Sequence, residues 1–243
     1  FKWRGFWDFG TGAMGDMGCH IFETPYVALG LGYPTSAEAS CTTMWSDDFV
    51  EADYTGVCPP SSVIRLTFDH ADFGEIKLNW YDGGLMPERP ALLPDDDMPG
   101  NVDGGSVFYG EKGILVTDTY SGNPRVYLND GTKAEAPAKT LARIKNDTSG
   151  HIANFVDGIL DGVKTSSPFS IAGPLTESVL MGNLAVRAFQ YKQLKPGKTA
   201  TDWAPYNYPG RTRLNWDGEA MKITNYKPAN AWVGREYRKG WEI

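Results

Sequence analysis

The sequence predicts an α+β fold in which an open, mainly antiparallel β-sheet carries helices on one face. Three observations lead to this class. The middle of the chain holds short segments in which apolar and polar residues alternate, as they do in half-buried strands. The last third holds segments with helical periodicity, and strands followed by helices, rather than alternating with them, favour an α+β domain. We therefore expect residues 1–243 to form a single domain of this kind.

Two short helices are expected near the beginning. Thr11 is a candidate N-cap for a helix from about Ala13, and apolar residues at helical spacing continue beyond it. Thr24, which precedes Pro25, has the character of a second N-cap followed by a first helical residue. The sequence thus predicts two helical pieces separated by a kink.

Alternating segments predict the strands. Val63–Asp69 and Glu75–Trp80 form one expected hairpin, and Ser106–Tyr109 and Ile114–Asp118 form a second one around a glycine-flanked turn. A further strand is expected at Arg125–Leu128. These segments together predict an antiparallel sheet.

The remaining elements are a long loop and two helices. The segment 83–105 is rich in proline and glycine and is too long for a simple connection, so it is either a functional or a mobile loop. One helix is expected behind the candidate caps Thr148 and Ser149, and another from Pro174 to about Tyr191. The apolar residues with helical spacing in the first helix are Ile152, Phe155, Val156, Ile159 and Leu160.

Charge and composition exclude several classes of protein. The formal net charge of -7 opposes binding to phosphate backbones, and since no basic stripe is present, we expect no nucleic-acid partner. The three cysteines form no CxxC pair, so neither a disulfide scaffold nor a zinc knuckle is indicated. No segment approaches the roughly 18 apolar residues of a membrane helix, and the first ten residues lack the features of a signal peptide. We expect a globular chain with no membrane partner.

The residues Gly10-Thr11-Gly12-Ala13-Met14-Gly15 match the dinucleotide fingerprint G-x-G-x-x-G, and Glu38 stands where a ribose-binding acid is expected. The fingerprint works when a buried strand delivers the glycines to the pyrophosphate. Here the preceding residues 3–9 are WRGFWDF, which do not form an aliphatic strand. The preferred interpretation is a glycine-rich approach to a catalytic helix.

Asp16 and His20 are the strongest candidates for chemistry in the chain. Their spacing of four residues puts a carboxylate and an imidazole on one helical face, where the pair can serve in general acid/base catalysis. Glu23 lies three residues later and can join that face. An ordinary surface or capping interaction is the alternative interpretation. A metal site formed by these three residues with His70 or His151 is a further one, but no metal signature is matched and we predict no metal.

The motifs WRGFWDFGTG at 3–12 and GDMGCH at 15–20 resemble the Gfo/Idh/MocA family of oxidoreductases, in particular a bacterial branch of it. The segment ESVLMGNLAVR at 177–187 is similar to the family's late helix, and LNWD at 214–217 and REYRKGW at 235–241 are similar to its C-terminal segment. The resemblance covers nearly the whole chain.

In that family an N-terminal Rossmann domain binds NAD or NADP, and a C-terminal α+β domain supplies contacts to the substrate and between subunits. The resemblance implies that this chain is the second part of a longer protein. The dinucleotide domain, which would hold most of the NAD or NADP, and a catalytic lysine would then lie outside it. A homo-oligomer formed through the sheet face is expected, because an open sheet otherwise exposes a broad surface.

The resemblance also implies roles for individual residues. Asp16 and His20 match the catalytic pair, with His20 moving the hydroxyl proton during hydride transfer and Asp16 orienting it. The implied substrates are sugars, sugar derivatives and cyclitols. The residues expected to contact such a carbohydrate are Arg4, Trp7, Asp8, Trp80 and Tyr81.

Two other functions stay open at this point. One is an NAD-dependent, redox-assisted glycoside hydrolase, in which the cofactor is reduced and restored within one turnover. The other is a non-catalytic module for sugar binding or oligomerisation.

Overall fold

The protein is described by a computed structural model that covers residues 2–135, 137–141 and 143–242, apart from the side chain of Asp147. Its helices are α1 (Gly12–Ile21), α2 (Glu23–Leu29), α3 (Asp147–Leu160) and α4 (Phe169–Gln190). Its strands are β1 (Ser36–Cys41), β2 (Trp45–Asp47), β3 (Val50–Glu51), β4 (Ser62–His70), β5 (Gly74–Tyr81), β6 (Gly105–Gly110), β7 (Gly113–Asp118), β8 (Arg125–Leu128), β9 (Lys133–Ala134), β10 (Gln193–Leu194), β11 (Tyr206–Asn207), β12 (Leu214–Asp217) and β13 (Lys222–Ile223). The chain is mixed α+β, and its sheets are open and mainly antiparallel, as predicted.

The contacts within the chain divide it into two compact units. The first unit comprises Phe1–Glu88 and Leu175–Ile243, and the second comprises Arg89–Pro174. That both units belong to one domain spanning 1–243 stays a prediction.

The first unit is built on a five-stranded sheet with the order β13-β12-β1-β4-β5. The predicted hairpin of β4 and β5 is confirmed, with Ile64 opposite Trp80 and Leu66 opposite Leu78. Strand β1 pairs with β4 on one side and with β12, more than 170 residues later, on the other. The local sequence pattern did not predict either β1 or β12.

The core of the first unit lies between one face of this sheet and the helices α1, α2 and α4. Ile64 and Phe68 on β4 are at most 1% exposed. Phe22, between α1 and α2, lies 6.2 Å from Phe68, measured between ring centroids. A Cβ at Gly18 of α1 would lie only 3.2 Å from both methyl carbons of Val179 on α4, so glycine allows the two helices to approach closely. Helices on one face of the sheet are therefore confirmed for this unit.

The first two helices are present, but their predicted capping differs from the structure. Thr11 occupies the N-cap position of α1 without making a side-chain capping hydrogen bond. Thr24 and Pro25 lie inside α2 rather than at a fresh start. The reason is that Phe22, between the helices, keeps helical dihedral angles (φ -81°, ψ -24°), so the chain hardly leaves the helical path.

The second unit contains an antiparallel sheet with the order β6-β7-β8-β9. This confirms the second hairpin and the strand at Arg125–Leu128. The proline-rich segment before β6 contributes Leu93 to the small core of this unit, which consists of Leu93, Ile114, Val116 and Tyr127. At least this part of the long loop is therefore packed rather than detached.

The two later helices begin earlier than predicted. Thr148 and Ser149 lie within α3, and the residue before the helix is Asn146 in the left-handed region, at φ 64°. Helix α4 begins at Phe169, five residues before Pro174. Pro174 therefore lies in the second turn of the helix, where it cannot donate the ladder hydrogen bond that another residue would make.

The apolar stripe of α3 is exposed to solvent. The exposed fractions range from 40 to 74%, at Ile152, Phe155, Val156, Ile159 and Leu160. The helical period was thus predicted correctly, whereas the burial that usually accompanies it is not observed. Within the described residues, none of the helices combines the length and the apolar character that a membrane span requires.

Candidate functional site

Helix α1 presents the predicted pair Asp16 and His20. Both residues lie within the helix, one turn apart, so their side chains share a face. Asp16 is partly buried and His20 is exposed. The helix is anchored from behind by the contact between Gly18 and Val179. The pair is therefore held on a packed helix and is open to a ligand from solvent.

Arg4 forms an ion pair with Asp16. Its Nη1 donates to the Oδ2 of the Asp16 carboxylate, and the two side chains remain 42 and 37% exposed. Arg4 lies in a short 3₁₀ helix, Lys2–Gly5, that precedes α1. Arg4 was expected to contact the substrate and Asp16 to orient His20, whereas the structure joins Arg4 to Asp16. An ion pair this exposed contributes little to stability.

Three exposed rings surround Arg4 in the sequence and form what we call the aromatic surface. Trp3, Phe6 and Phe9 are 63, 45 and 66% exposed. The ring centroid of Trp3 lies 4.9 Å from that of Phe9 and 6.4 Å from that of Phe6. Exposed aromatic faces beside charged groups combine an apolar body with polar partners, which suits ligands with the same combination, such as sugars.

Trp7 and Asp8 follow the aromatic surface in the chain but are placed differently from each other. Trp7 is only 8% exposed, so its ring belongs to the interior of the first unit. Asp8 is exposed, and its backbone carbonyl accepts a hydrogen bond of 3.2 Å from Arg235. Of these two predicted contact residues, only Asp8 presents its side chain to solvent.

A small cavity of about 10 Å³ lies behind the first turn of α1. Trp7, Met14, Cys58 and Asn183 are among the residues that line it. The Nδ2 of Asn183 is buried there without a hydrogen-bond partner among the described residues. Burial raises the pKa of the Cys58 thiol to about 11, so this thiol is neutral. The volume suits one water molecule that could satisfy Asn183, and it is too small for a sugar.

Trp80 and Tyr81 end strand β5 and point to opposite faces of the sheet, because side chains alternate along a strand. Trp80 is 9% exposed, and its Nε1 donates to Asp82 Oδ2 at 2.8 Å. The same carboxylate accepts hydrogen bonds from the backbone and the hydroxyl of Ser62. Trp80 is thus engaged within the hairpin, and the two residues cannot face one ligand together. Their role in substrate binding stays a prediction.

The glycines of the G-x-G-x-x-G match are needed for contacts within the chain. A Cβ at Gly10 would collide with the backbone of Arg4, and one at Gly15 would collide with the side chain of Thr11. A 3₁₀ helix and a turn, rather than a strand, precede them. Because the space at these glycines is already filled, these residues do not fit the phosphates of NAD or NADP.

A cationic group that the sequence pattern did not predict lies beside Trp7. The guanidinium carbon of Arg187 on α4 lies 5.5 Å from the ring centroid of Trp7 and 5.2 Å from that of Trp232. Arg235 donates a hydrogen bond of 3.3 Å to the backbone carbonyl of Trp7. One signal was available: Asn183 and Arg187 stand one turn apart in an otherwise apolar helical run, where polar residues are unusual.

A second cavity, of about 30 Å³, lies near the end of α4. Lys192 and Glu51 form an ion pair of 3.3 Å there, with side chains 14 and 15% exposed. The hydroxyl of Tyr208 also donates to Glu51, and burial together with this hydrogen bond raises the pKa of Tyr208 to about 12. The sequence pattern did not predict this cluster. Lys192 and Tyr208 both donate to the carboxylate of Glu51, so the polar groups are paired and connect distant segments of the first unit.

No metal centre is found within the part of the chain that the structure describes, where no group of three or more histidine, cysteine or acidic side chains is placed to hold an ion. His70 instead accepts hydrogen bonds at Nδ1 from the backbone amides of Asp72 and Phe73 in the β4–β5 turn. Its role in the described structure is to order that turn.

Taken together, the beginning of α1 combines an exposed imidazole, a carboxylate, a guanidinium and an aromatic surface. Such a set can bind a polyhydroxylated ring and exchange a proton with one of its hydroxyl groups. In comparisons with known proteins, no family model matches this chain, and no curated protein is significantly similar to it.

Proposed function

We propose that this chain is the substrate-binding and catalytic part of an NAD(P)-dependent oxidoreductase that acts on a sugar, a sugar derivative or a cyclitol. The observation that carries the proposal is the position of Asp16 and His20, on the helix that directly follows the exposed rings of Trp3, Phe6 and Phe9. A ring-shaped substrate can stack on this aromatic surface while one hydroxyl reaches the imidazole.

In this proposal His20 accepts the proton of the hydroxyl that becomes a carbonyl. Asp16, one turn away on the same helix face, is the group assigned to orienting the imidazole. Arg4 engages Oδ2 of Asp16, so Oδ1 is the atom assigned to orienting His20.

The oxidant is NAD or NADP, which the proposal assigns to residues outside this chain. The glycines before α1 do not fit a dinucleotide, because they lie against Arg4 and Thr11 of the chain itself and no buried strand delivers them to a pyrophosphate. The contribution of these 243 residues is therefore substrate positioning and proton transfer.

One observation favours a non-catalytic alternative. The Arg4–Asp16 ion pair connects the 3₁₀ helix to α1, and an ion pair that only holds these two elements together would have the same geometry. On that interpretation the aromatic surface would bind a sugar without transforming it. The redox-assisted glycoside hydrolase would use the same residues, and its product distinguishes it.

The test is turnover by a gene product that contains both this chain and a dinucleotide-binding domain, with a panel of aldoses, cyclitols and aryl glycosides. Replacing His20 with Gln is expected to lower kcat/KM by about 10²- to 10⁴-fold, as removal of a general acid/base usually does. His151→Gln, the same change at an exposed position of α3, serves as the control and should leave turnover unchanged.

Three results separate the functions. Net formation of reduced nicotinamide from a free sugar, lost in His20→Gln, supports the dehydrogenase. Cleavage of a glycoside without net reduction supports the hydrolase instead. Full activity of both His20→Gln and Asp16→Asn would overturn both enzymatic functions.

We also propose that the chain forms a homo-oligomer through its five-stranded sheet. The sheet face opposite the helices carries exposed polar side chains on β4 and β5, including Arg65, Lys77 and Asn79. Such a face suits a hydrogen-bonded and charge-matched interface more than an apolar one. Light scattering that gives a monomeric mass at micromolar concentration would contradict this proposal.

A further inference from the structure

Arg187 is held in an unusual environment for an arginine. It lies on α4 between mostly buried neighbours and is itself partly buried. Its guanidinium carbon is within 5.5 Å of the ring centroids of both Trp7 and Trp232. Tyr191 contacts Trp232 edge to face, with their ring centroids 5.9 Å apart. The surrounding rings thus fix the position of the cation.

The rings attract the charge of Arg187, but they do not satisfy its N–H groups. A guanidinium has five N–H donors and no acceptor. Within the described residues, none of the hydrogen bonds or ion pairs of the first unit has Arg187 as a donor. A partly desolvated donor without an acceptor is unfavourable, so such groups normally find a partner.

A second positive charge lies next to the first. Arg235 is anchored by hydrogen bonds to the backbone carbonyls of Trp7, at 3.3 Å, and of Asp8, at 3.2 Å. Burial and the charge of Arg235 both lower the pKa of Arg187, whereas the carboxylate of Asp8 acts in the opposite direction. Asp8 is not within ion-pair distance of either arginine, so the two cations leave a local excess of positive charge.

From these contacts we propose that Arg187 and Arg235 form a binding site for a small oxyanion, a carboxylate or a phosphate group carried by a small molecule. The planar donor array of Arg187 matches such a group in a bidentate way. Arg235 adds a second charge from the C-terminal segment. The bound oxyanion provides the acceptors that the described residues do not.

The competing explanation is that Arg187 only ties Trp7 to Trp232. A tie requires the cation–π contacts alone, and these survive if the chain never meets an anion. Arg211 represents this simpler situation in the same unit. Its guanidinium carbon lies 3.6 Å from the ring centroid of Tyr208 and 4.4 Å from that of Phe189, but it is exposed and its Nε donates to a backbone carbonyl.

The test is calorimetric titration of the 243-residue chain, at low ionic strength and neutral pH, with three probes: sodium phosphate, sodium glucuronate and glucose. The proposal expects saturable binding of phosphate, glucuronate or both, and no comparable binding of glucose. Binding of only one of the two anions assigns the site to that oxyanion. The site does not depend on the proposed reaction, and no cofactor is needed for the measurement.

Substitutions of single arginines test which of them bind the anion. Arg187→Gln is expected to weaken anion binding at least tenfold, and Arg235→Gln is expected to weaken it several-fold while leaving the rings around Arg187 in place. Arg211→Gln is the matched control and should bind as the unmodified chain does. Absence of saturable anion binding by the unmodified chain, or equal affinity in all three variants, would overturn the proposal.

Discussion

Two arginines, one in each compact unit, show how differently the same side chain can be used. Arg125 in the second unit has a side chain that is 8% exposed and makes five hydrogen bonds. Arg187 in the first unit is fixed by two indole rings and has no hydrogen-bond acceptor among the described residues. The acceptors around Arg125 are the carboxylates of Asp97 and Asp118 and the backbone carbonyls of Met98, Gly100 and Asn123.

The difference indicates which arginine belongs to the fold and which awaits a ligand. Burial alone would lower the pKa of Arg125, but its hydrogen bond to Asp118 and the charge of Asp97 outweigh burial and raise it. Burial also lowers the pKa of Arg187, and there Arg235 adds to the effect. A guanidinium whose N–H donors all have acceptors within the protein stabilises the fold. One whose donors lack such acceptors is where a bound anion adds the most favourable hydrogen bonds.

The largest expected effect is on the stability of the second unit. Arg125→Met leaves two carboxylates without their cation, and we expect the free energy of unfolding to fall by about 3 kcal/mol. This value is at the lower end for a buried ion pair, because Asp97 and Asp118 keep 23 and 20% exposure. Urea unfolding measures it. Arg89→Gln, at an exposed arginine that donates to backbone carbonyls, is the control and should change little.

A smaller loss is expected when only one hydrogen bond of this cluster is removed. Tyr127 donates its hydroxyl to Asp97, and Tyr127→Phe deletes that donor while keeping the ring in the core. A hydrogen bond to a charged group predicts a loss of about 1.5 kcal/mol in the same unfolding experiment. A loss as large as that of Arg125→Met would contradict the expectation that the arginine contributes more to this cluster than the tyrosine does.

The same cluster should make the second unit sensitive to acid. Burial alone would raise the pKa of Asp97, but hydrogen bonds from Tyr127 and the amide of Met98, together with the charge of Arg125, lower it. A carboxyl whose pKa is lower in the folded state stabilises the fold above its unfolded value, about 3.9, and this contribution is lost as the pH falls through the folded pKa. Unfolding measured from neutral pH to about pH 3 should therefore show a smaller loss in Asp97→Asn than in the unmodified chain. An equal loss in both would contradict this assignment.

The smallest effect on stability is expected at Arg187. Arg187→Gln removes two cation–π contacts, each worth about 0.5 to 1 kcal/mol, and also removes an unsatisfied, partly buried charge. Because these changes oppose each other, we expect the free energy of unfolding to stay within about 1 kcal/mol of the original. A loss comparable to that of Arg125→Met would show that Arg187 is structural and would remove the contrast between the two arginines.

The local pattern predicted the parts of the fold that depend on neighbours in sequence. The β4–β5 hairpin was predicted because Ile64, Leu66 and Phe68 alternate with polar residues. Strand β1 was missed because its inward side chains are small, with Ala37 and Ala39 opposite Leu66 and Ile64. Its pairing with β12 joins segments far apart in the chain, which no local pattern encodes.

As with the fold, the local part of the candidate site could be predicted from the sequence and the long-range contacts could not. The spacing of Asp16 and His20 placed them on one helix face, as the structure has them. The Arg4–Asp16 pair and the ring contacts of Arg187 were not predictable, because they depend on how the N-terminal segment folds back onto α1 and α4. Contacts of this kind come from tertiary packing and not from propensity.

The most direct test of the contrast between the two arginines is a titration of the chain with sodium phosphate, followed through the Nε–H signals of its arginines in ¹H–¹⁵N NMR spectra. We expect the Arg187 signal, assigned by its loss in Arg187→Gln, to move in a saturable way. The Arg125 signal should stay in place, because its donors are already bound to Asp97, Asp118 and three carbonyls. A stationary Arg187 signal, or equal movement of both signals, would contradict this expectation.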